Sequence, residues 1–303
     1  MTHTAPNPRG LDPNWPAKRR VTLIGAAVNL VLTVIKIAVG VNARSQALVV
    51  DGVHSLSDLF SDAVVLVAAR WSAIGADHNH PYGHRRIETV AVAIVGVVLL
   101  AVAVGFMVSA ASHLFSSEPL PVPGRMALWV AVISVVSKEA LFWYTRAVGK
   151  RVNSSLVMAN AWHHRSDALS SLVVIAGLIG AQMGFPWLDA VAAIVVAATV
   201  AWMGAKFAFQ ALVELVDTGV SRAEQKALGQ IVMSVDGVHG FRRLRTRLMG
   251  GQVVMDVCIL LDGDLTLNDA DRLARRVRRR LLSESTEVFD AVVDVAPWKD
   301  RRN

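Results

Sequence analysis

The stretch SQALVVDGVHSLSD, from Ser45 to Asp58, places ionisable side chains inside a long apolar run. In a transmembrane helix, each charged group near the centre costs about 2.5–3.5 kcal/mol on insertion scales. Each residue turns a helix by about 100°, so four ionisable groups of this helix would lie on one stripe: Asp51, His54, Asp58 and Asp62. Such a stripe indicates a polar pathway or a bound cation.

A second stretch, NAWHHRSD from Asn160 to Asp167, repeats the pattern, because His163 and Asp167 are spaced like His54 and Asp58. If the two helices pack together, two imidazole nitrogens and two carboxylate oxygens converge. This donor set suits a tetrahedral Zn²⁺ site with bonds of about 2.0–2.2 Å. The alternative is that each His-Asp pair is a hydrogen-bonded packing contact without a ligand, but matching spacing on two helices favours the metal site.

Neighbouring polar residues are assigned to packing rather than to ligation. On a helix, His164 and Arg165 point about 100° and 200° away from His163. We expect His164 to pack against the site and Arg165 to pair with a nearby carboxylate. Glu139 is expected to pair with Lys138, its neighbour in the same helix.

The composition predicts that much of the chain faces lipid. Residues of the AVILMFWYC set make up 53% of the 303 residues, and only 18% are charged, which is too apolar for an ordinary soluble domain. A stretch of about 20 apolar residues is long enough to cross a bilayer core. The sequence predicts transmembrane helices near 21–41, 46–72, 90–115, 126–148, 156–184 and 188–212.

The positive charges predict the orientation in the membrane. The formal net charge is +7, and basic residues gather at 18–20, at 85–86, at 146–151 and after the last apolar stretch. The other connections carry little beyond Arg44 and Arg125. By the positive-inside rule, both termini and the 2–3 and 4–5 loops are cytoplasmic. We expect a multi-pass protein of the cell (inner) membrane.

Both ends of the chain are predicted to differ from the apolar middle, which we assign to residues 21–214. Residues 1–20 form a disordered cytoplasmic N-terminus, because the segment is polar and rich in proline. The first helix would then be its own uncleaved insertion signal. The single cysteine, Cys258, excludes an internal disulfide and fits a reduced compartment.

Residues 215–303 are predicted to form a soluble cytoplasmic domain. Ser221 and Glu224 make a capping box, Gly250-Gly251 makes a turn, and apolar residues alternate on both sides of that turn. The predicted elements are a helix to about Ser234, strands at 240–249 and 253–261, a helix from Thr266 to about Leu282, and a strand at 288–295. This α-β-β-α-β order is a ferredoxin-like layout.

Arginines between 272 and 280 could indicate contact with nucleic acid. A solvated helix near anionic lipid headgroups explains the same residues. We therefore expect membrane lipid, and no nucleic acid, as a partner.

The stretches SQALVVDGVHSLSD and NAWHHRSD, followed by a ferredoxin-like domain, resemble the cation diffusion facilitator family of metal/proton antiporters. The resemblance extends from Arg20 through nearly all of the remaining chain. It implies that a homodimer carries metal through a transport site formed by His54, Asp58, His163 and Asp167.

The resemblance also implies a second metal site in the cytoplasmic loop DHNHPYGH at 77–84, with Asp77, His80 and His84 as ligands and His78 as a possible substitute. From chemistry alone, these histidines could instead belong to a solvated turn, and both interpretations stay open.

Two further features follow from the family pattern. The family often holds a histidine-rich binuclear site in its cytoplasmic domain, and here that pattern is lost. Asp256, Asp294 and His239 remain as candidate ligands, with Cys258 on the face of Asp256. An ion pair between the membrane and cytoplasmic parts is expected to join Arg86 and Asp217.

These residues predict the transport of a divalent transition metal. Imidazole donors favour zinc, cobalt or cadmium over manganese and magnesium, and iron(II) remains open. Protons compete with metal for the same groups, so we expect metal to be exchanged for protons. The alternatives are a metal receptor or scaffold without transport, and a membrane metallohydrolase, which would need an open coordination position and a general base.

Overall fold

The computed structural model describes residues 15–72, 74–116, 120–152 and 154–298. Long helices come first: α1 (Trp15–Asn42), α2 (Gln46–Ser72), α3 (Arg86–Leu114), α4 (Arg125–Arg151), α5 (Ser155–Gln182) and α6 (Trp187–Leu215). A smaller α+β part follows: α7 (Arg222–Met233), β1 (Gly240–Met249), β2 (Gln252–Leu261), α8 (Leu267–Glu284) and β3 (Val288–Pro297).

The predicted transmembrane segments correspond to α1–α6. In the part of the chain that the structure describes, 4 helices are apolar and long enough to cross a membrane: Pro16–Asn42, Arg86–Leu114, Arg125–Arg151 and Trp187–Leu215. Helices α2 and α5 carry the ionisable pairs and have 27 and 28 residues. At about 1.5 Å per residue, such helices measure about 40 Å, which exceeds a bilayer core of about 30 Å.

The predicted disorder of the N-terminal segment is wrong for its last residues, because α1 begins at Trp15 rather than at Val21. Pro16 stands in the first turn, where its missing N–H removes no helical hydrogen bond. The basic residues at 18–20 favour a helix. Residues 1–14 lie outside the described part of the chain.

The chain divides into two compact units, and the first comprises residues up to Ala63 together with Gly96–Ala205. Small residues allow close helix packing there. A Cβ added at Gly52 of α2 would lie 2.7 Å from the Ile37 side chain of α1, and one added at Gly177 of α5 would lie 2.5 Å from Ala192 of α6. Large apolar side chains are exposed on the outside, as expected for lipid contact: Leu30, Val34, Trp129, Ile133 and Trp202.

The second unit comprises Val64–Val95 and the chain from Lys206 onward. Its three-stranded sheet has the order β1-β2-β3. Strands β1 and β2 are antiparallel, whereas β2 and β3 are parallel and are joined through α8. Alternate residues of the central strand β2 enter the core with Val232 of α7 and Val277 of α8. The predicted ferredoxin-like layout is confirmed.

Local hydrogen bonds explain the bounds of the elements in this unit. Ser221 and Glu224 form the predicted capping box of α7. Thr266 caps α8 by accepting a hydrogen bond from the Asp269 N–H at 3.2 Å. Gly250 and Gly251 turn the chain between β1 and β2 with φ values of 60° and 68°, which only glycine adopts easily.

Candidate metal centre

Helices α2 and α5 bring ionisable side chains together inside the first unit. Donor atoms of His54, Asp58 and Asp167 all lie within 4.8 Å of one another. On α2, His54 Nδ1 is 4.0 Å from Asp58 Oδ1, the contact expected for residues four apart. The His54 Nδ1 atom is buried and makes no hydrogen bond. This cluster offers one nitrogen and two carboxylate donors to a cation.

His163, the fourth predicted ligand, lies at the edge of this group. Its Nε2 atom is 3.8 Å from Asp167 Oδ2, and its side chain is 45% exposed. Within the described residues, the structure therefore gathers three of the predicted ligands and leaves His163 beside them. The side chain of Asp62 lies outside the described part of the structure.

Two buried lysines, which sequence reasoning did not place at the site, contact carboxylates of α2 and α5. Lys138 Nζ of α4 lies 3.3 Å from Asp167 Oδ2. Lys36 Nζ of α1 lies 2.7 Å from Asp51 Oδ2, and both side chains of this pair are 0% exposed. Ser55 accepts hydrogen bonds from both ammonium groups, at 3.3 Å from Lys138 and 3.5 Å from Lys36.

The expected pairing of Glu139 with Lys138 is therefore wrong. Adjacent residues on a helix do not face each other, and Glu139 instead lies 3.8 Å from Arg165. Arg165 thus has the nearby carboxylate that the sequence predicted. His164 is buried, and neither of its ring nitrogens makes a hydrogen bond. A Cβ at Gly25 of α1 would lie 3.1 Å from its Nε2, so His164 packs against α1.

The loop between α2 and α3 forms a second group, in the second unit. His80 Nδ1 is 3.1 Å from Asp77 Oδ1, and His84 Nε2 is 3.3 Å from Asp77 Oδ2. His84 Nδ1 is 3.2 Å from the carbonyl oxygen of Gly75. Because that oxygen can only accept, Nδ1 is the donor and Nε2 faces Asp77. A cation between Nε2 and the carboxylate would satisfy both.

Hydrogen bonds keep the Asp77 carboxylate ionised. The backbone N–H of His80 donates to Asp77 Oδ1 at 2.6 Å, and the N–H of Asn79 donates at 2.9 Å. The His80 N–H contributes most to holding the pKa of Asp77 below its usual value. Protonation of Asp77 therefore requires a lower pH than for an ordinary aspartate.

The candidate ligands of the cytoplasmic domain are not brought together among the residues that the structure describes. Asp256 pairs in the sheet with Val292, whereas Asp294 pairs with Cys258. His239 lies before β1 and stacks on Trp298, with 6.2 Å between the ring centroids. The stacking keeps the imidazole at the end of the sheet. Cys258 is buried beside the exposed Asp256.

Two acidic residues near the end of α6 make contacts within the second unit. Arg86 donates to Asp217 in the expected ion pair, whose side chains are 44% and 52% exposed. Glu214, which sequence reasoning missed, accepts hydrogen bonds from Thr89 Oγ1 at 2.5 Å and from the Gly250 N–H at 2.6 Å. Glu214 thereby links α6, α3 and the β1–β2 turn.

Comparison with known protein families identifies the chain. Residues 22–216 match the family described as the cation efflux transmembrane domain, and residues 220–298 match that of the cation efflux protein, cytoplasmic domain. The chain belongs to the cation diffusion facilitator family. Members of this family are divalent metal cation efflux transporters rather than enzymes, which excludes the metallohydrolase alternative.

Similar proteins come from plants and bacteria. Metal tolerance protein C1 of Arabidopsis thaliana is 32% identical over 92% of this chain, which spans 62% of that relative's length. Magnetosome protein MamB of Magnetospira sp. (strain QH-2) is 34% identical over 89% of this chain and 92% of its own. Manganese efflux system protein MneP of Bacillus subtilis (strain 168) is 31% identical over 92% and 96%.

Solved structures that resemble part of this facilitator include short single domains. A MamM CTD structure covers 25% of this chain and 94% of its own, with 22% identity and a TM-score of 0.25.

Proposed function

We propose that this facilitator carries zinc across the membrane through His54, Asp58, His163 and Asp167, in exchange for protons. The observation that supports the proposal is the buried cluster in which donor atoms of His54, Asp58 and Asp167 lie within 4.8 Å of one another. Ligand atoms of a tetrahedral zinc site are separated by roughly 3.4 Å, given bonds of about 2.1 Å. Small movements of α2 and α5, with His163 turning inward, would complete the site.

Zinc is the proposed cargo because the site offers imidazole nitrogens as well as carboxylates. Iron, cobalt and cadmium share this preference. Manganese is the competing candidate, since MneP of Bacillus subtilis is named for manganese efflux. Metal binds only neutral imidazoles and ionised carboxylates, so protons compete with it. An imposed proton gradient should therefore drive metal movement.

Transport in liposomes tests the cargo, the site and the coupling together. Uptake would be measured with zinc, iron, cobalt, cadmium and manganese, with and without an imposed pH gradient, for the wild type and for Asp58→Ala. We expect zinc flux that depends on the gradient and is lost in Asp58→Ala. Metal flux that is the same with and without the pH gradient would refute exchange for protons. Metal binding with zero flux would favour the receptor or scaffold alternative.

We further propose that Asp77, His80 and His84 bind a second metal ion.

We also propose that the chain lies in the cell membrane as a homodimer with both termini cytoplasmic. The basic residues at 18–20 and 85–86 support this orientation through the positive-inside rule. The match of residues 220–298 to the cytoplasmic domain of cation efflux proteins supports a cytoplasmic C-terminus. Cysteine labelling from outside intact cells tests the orientation, because sites at Arg44 should react and sites at Lys150 should not.

A further inference from the structure

Lys138 contacts a carboxylate oxygen of Asp167, one of the proposed ligands of the transported ion. Its ammonium nitrogen lies 3.3 Å from Asp167 Oδ2, and this oxygen is also the one nearest His163 Nε2, at 3.8 Å. Lys138 and Asp167 are both buried, so water screens their attraction little. The lysine therefore lies where it opposes the binding of a second cation at this oxygen.

The second lysine makes a contrasting contact. Lys36 pairs with Asp51, and Ser171 donates to both oxygens of Asp51 at 3.0 and 3.1 Å. Asp51 is outside the cluster formed by His54, Asp58 and Asp167. The two lysines thus share burial and the acceptor Ser55, but only Lys138 contacts a residue of the cluster.

We propose that Lys138 is a built-in competitor of the cargo and sets how tightly the transport site holds its ion. When a divalent ion binds Asp167 Oδ2, the ammonium moves away from that oxygen while keeping its hydrogen bond to Ser55, which is 3.3 Å away. When the ion leaves, the ammonium returns and neutralises the carboxylate.

The competition has a functional consequence. A carrier must bind its ion firmly enough to load it and weakly enough to release it. Two carboxylates and two imidazoles without a competing charge would hold zinc tightly and release it slowly. Lys138 is therefore a positioning residue that weakens binding and speeds release. This inference depends on the proposed transport site.

Zinc binding to the purified full-length protein in detergent tests the proposal. Zinc binding at the transport site is defined as the zinc binding that the wild type shows and Asp58→Ala lacks. Lys138→Met keeps the side-chain length and removes the charge, so we expect zinc affinity to rise by about tenfold or more. In liposomes, KM and maximal flux should both fall. Lys36→Met is the comparison variant, and because Lys36 contacts Asp51 rather than Asp167, it should raise zinc affinity by a smaller factor than Lys138→Met does.

A double-variant comparison shows whether the effect acts through Asp167. If Lys138 competes at this carboxylate, Lys138→Met should raise zinc affinity by a smaller factor when Asp167→Asn is also present. Unchanged or weaker zinc binding in Lys138→Met would overturn the proposal while leaving the transport site intact. Zinc binding and flux that survive in Asp58→Ala would instead overturn the transport site itself.

If Lys138→Met does not fold, lysine side-chain NMR of the otherwise unchanged protein decides the question. The ¹⁵Nζ signal of Lys138, assigned by its loss in Lys138→Arg, should shift when zinc is added and should not shift in Asp58→Ala. If the protein binds zinc and the Lys138 signal does not shift, the proposal is contradicted.

Discussion

At the scale of single residues, adjacent histidines on α5 have opposite environments. His163 is half exposed and lies 3.8 Å from Asp167, whereas His164 is buried against α1 and makes no hydrogen bond through either nitrogen. The chemistry of the two side chains is identical, so only their positions support the proposal that His163 is a ligand and His164 a packing residue.

This contrast predicts different effects of two neighbouring substitutions. His163→Ala removes a nitrogen donor and should lower zinc flux in liposomes by about tenfold or more. His164→Leu exchanges one buried ring for an apolar side chain of similar size and should leave zinc flux within about threefold. Equal losses in both variants would contradict the assignment of His163.

The loop group predicts a change in metal stoichiometry. Asp77 contacts both His80 and His84, so Asp77→Asn should remove one bound metal ion per chain while leaving the transport site loaded. His78→Asn is the control, because His78 lies outside the Asp77, His80 and His84 group. Metal bound per chain would be counted by elemental analysis after equilibrium dialysis at saturating zinc. An unchanged count in Asp77→Asn would leave the loop without a metal role.

Sequence reasoning named the residues of the proposed site but not all of their partners. The i, i+4 spacing was enough to bring His54 to Asp58 and His163 to Asp167, because helix geometry fixes such neighbours. Pairing Lys138 with Asp167 required knowing how α4 packs on α5. The sequence did contain a signal, because Lys138 lies inside an apolar run, where a charged side chain needs a partner of opposite charge.

At the scale of elements, the start of α2 depends on a residue far along the chain. Asp189, buried in the first turn of α6, accepts hydrogen bonds from Ser45 Oγ and from the Gln46 N–H, each at 2.7 Å. These contacts satisfy donors at the N-terminus of α2, where a helix leaves its first N–H groups unpaired. Asp189 therefore fixes the position of the helix that carries His54 and Asp58.

Removing this carboxylate should destabilise the membrane part of the chain. Asp189→Ala leaves the Ser45 hydroxyl and the Gln46 N–H without their acceptor, which should cost about 1–3 kcal/mol of unfolding free energy. Asp236→Ala, at an exposed position, should change the stability little. Unfolding in detergent, followed by tryptophan fluorescence, measures both. An Asp189→Ala protein as stable as the control would refute the capping role.

A helix cap formed by residues close in sequence was predictable, whereas the contact of Asp189 with the start of α2 was not. Ser221 and Glu224 are three residues apart, and their reciprocal hydrogen bonds follow from the sequence alone. Asp189 and Ser45 are 144 residues apart. No local pattern connects them, because their contact arises only when α6 packs beside α2.

At the scale of the whole molecule, apolar runs, turns and alternation in the sequence predicted the order of the domains and the ferredoxin-like layout. The resemblance to a family added the pair of Arg86 and Asp217, but physical chemistry assigns more weight to Glu214. Exposed ion pairs contribute about 0–1 kcal/mol, and both members of this pair are about half exposed. Glu214 is less exposed and binds Thr89 and the β1–β2 turn together.

We therefore predict that Glu214→Ala disturbs the second unit more than Asp217→Ala. Loss of the Glu214 acceptor should increase hydrogen exchange at Gly250 and its neighbours and lower zinc flux. Asp217→Ala should change both quantities by less than half as much. Mass spectrometry of the full-length protein resolves the exchange by peptide. A larger effect of Asp217→Ala would restore the ion pair as the main link.

The pairing of the buried lysines also bears on how the polypeptide enters the bilayer during synthesis. Lys36 and Asp51 belong to the consecutive helices α1 and α2, and Lys138 and Asp167 belong to the consecutive helices α4 and α5. Each lysine is thus neutralised by the next helix to leave the ribosome, so each pair enters the lipid without net charge. Insertion by helical hairpins, rather than by single segments, is the biogenesis route that this arrangement favours.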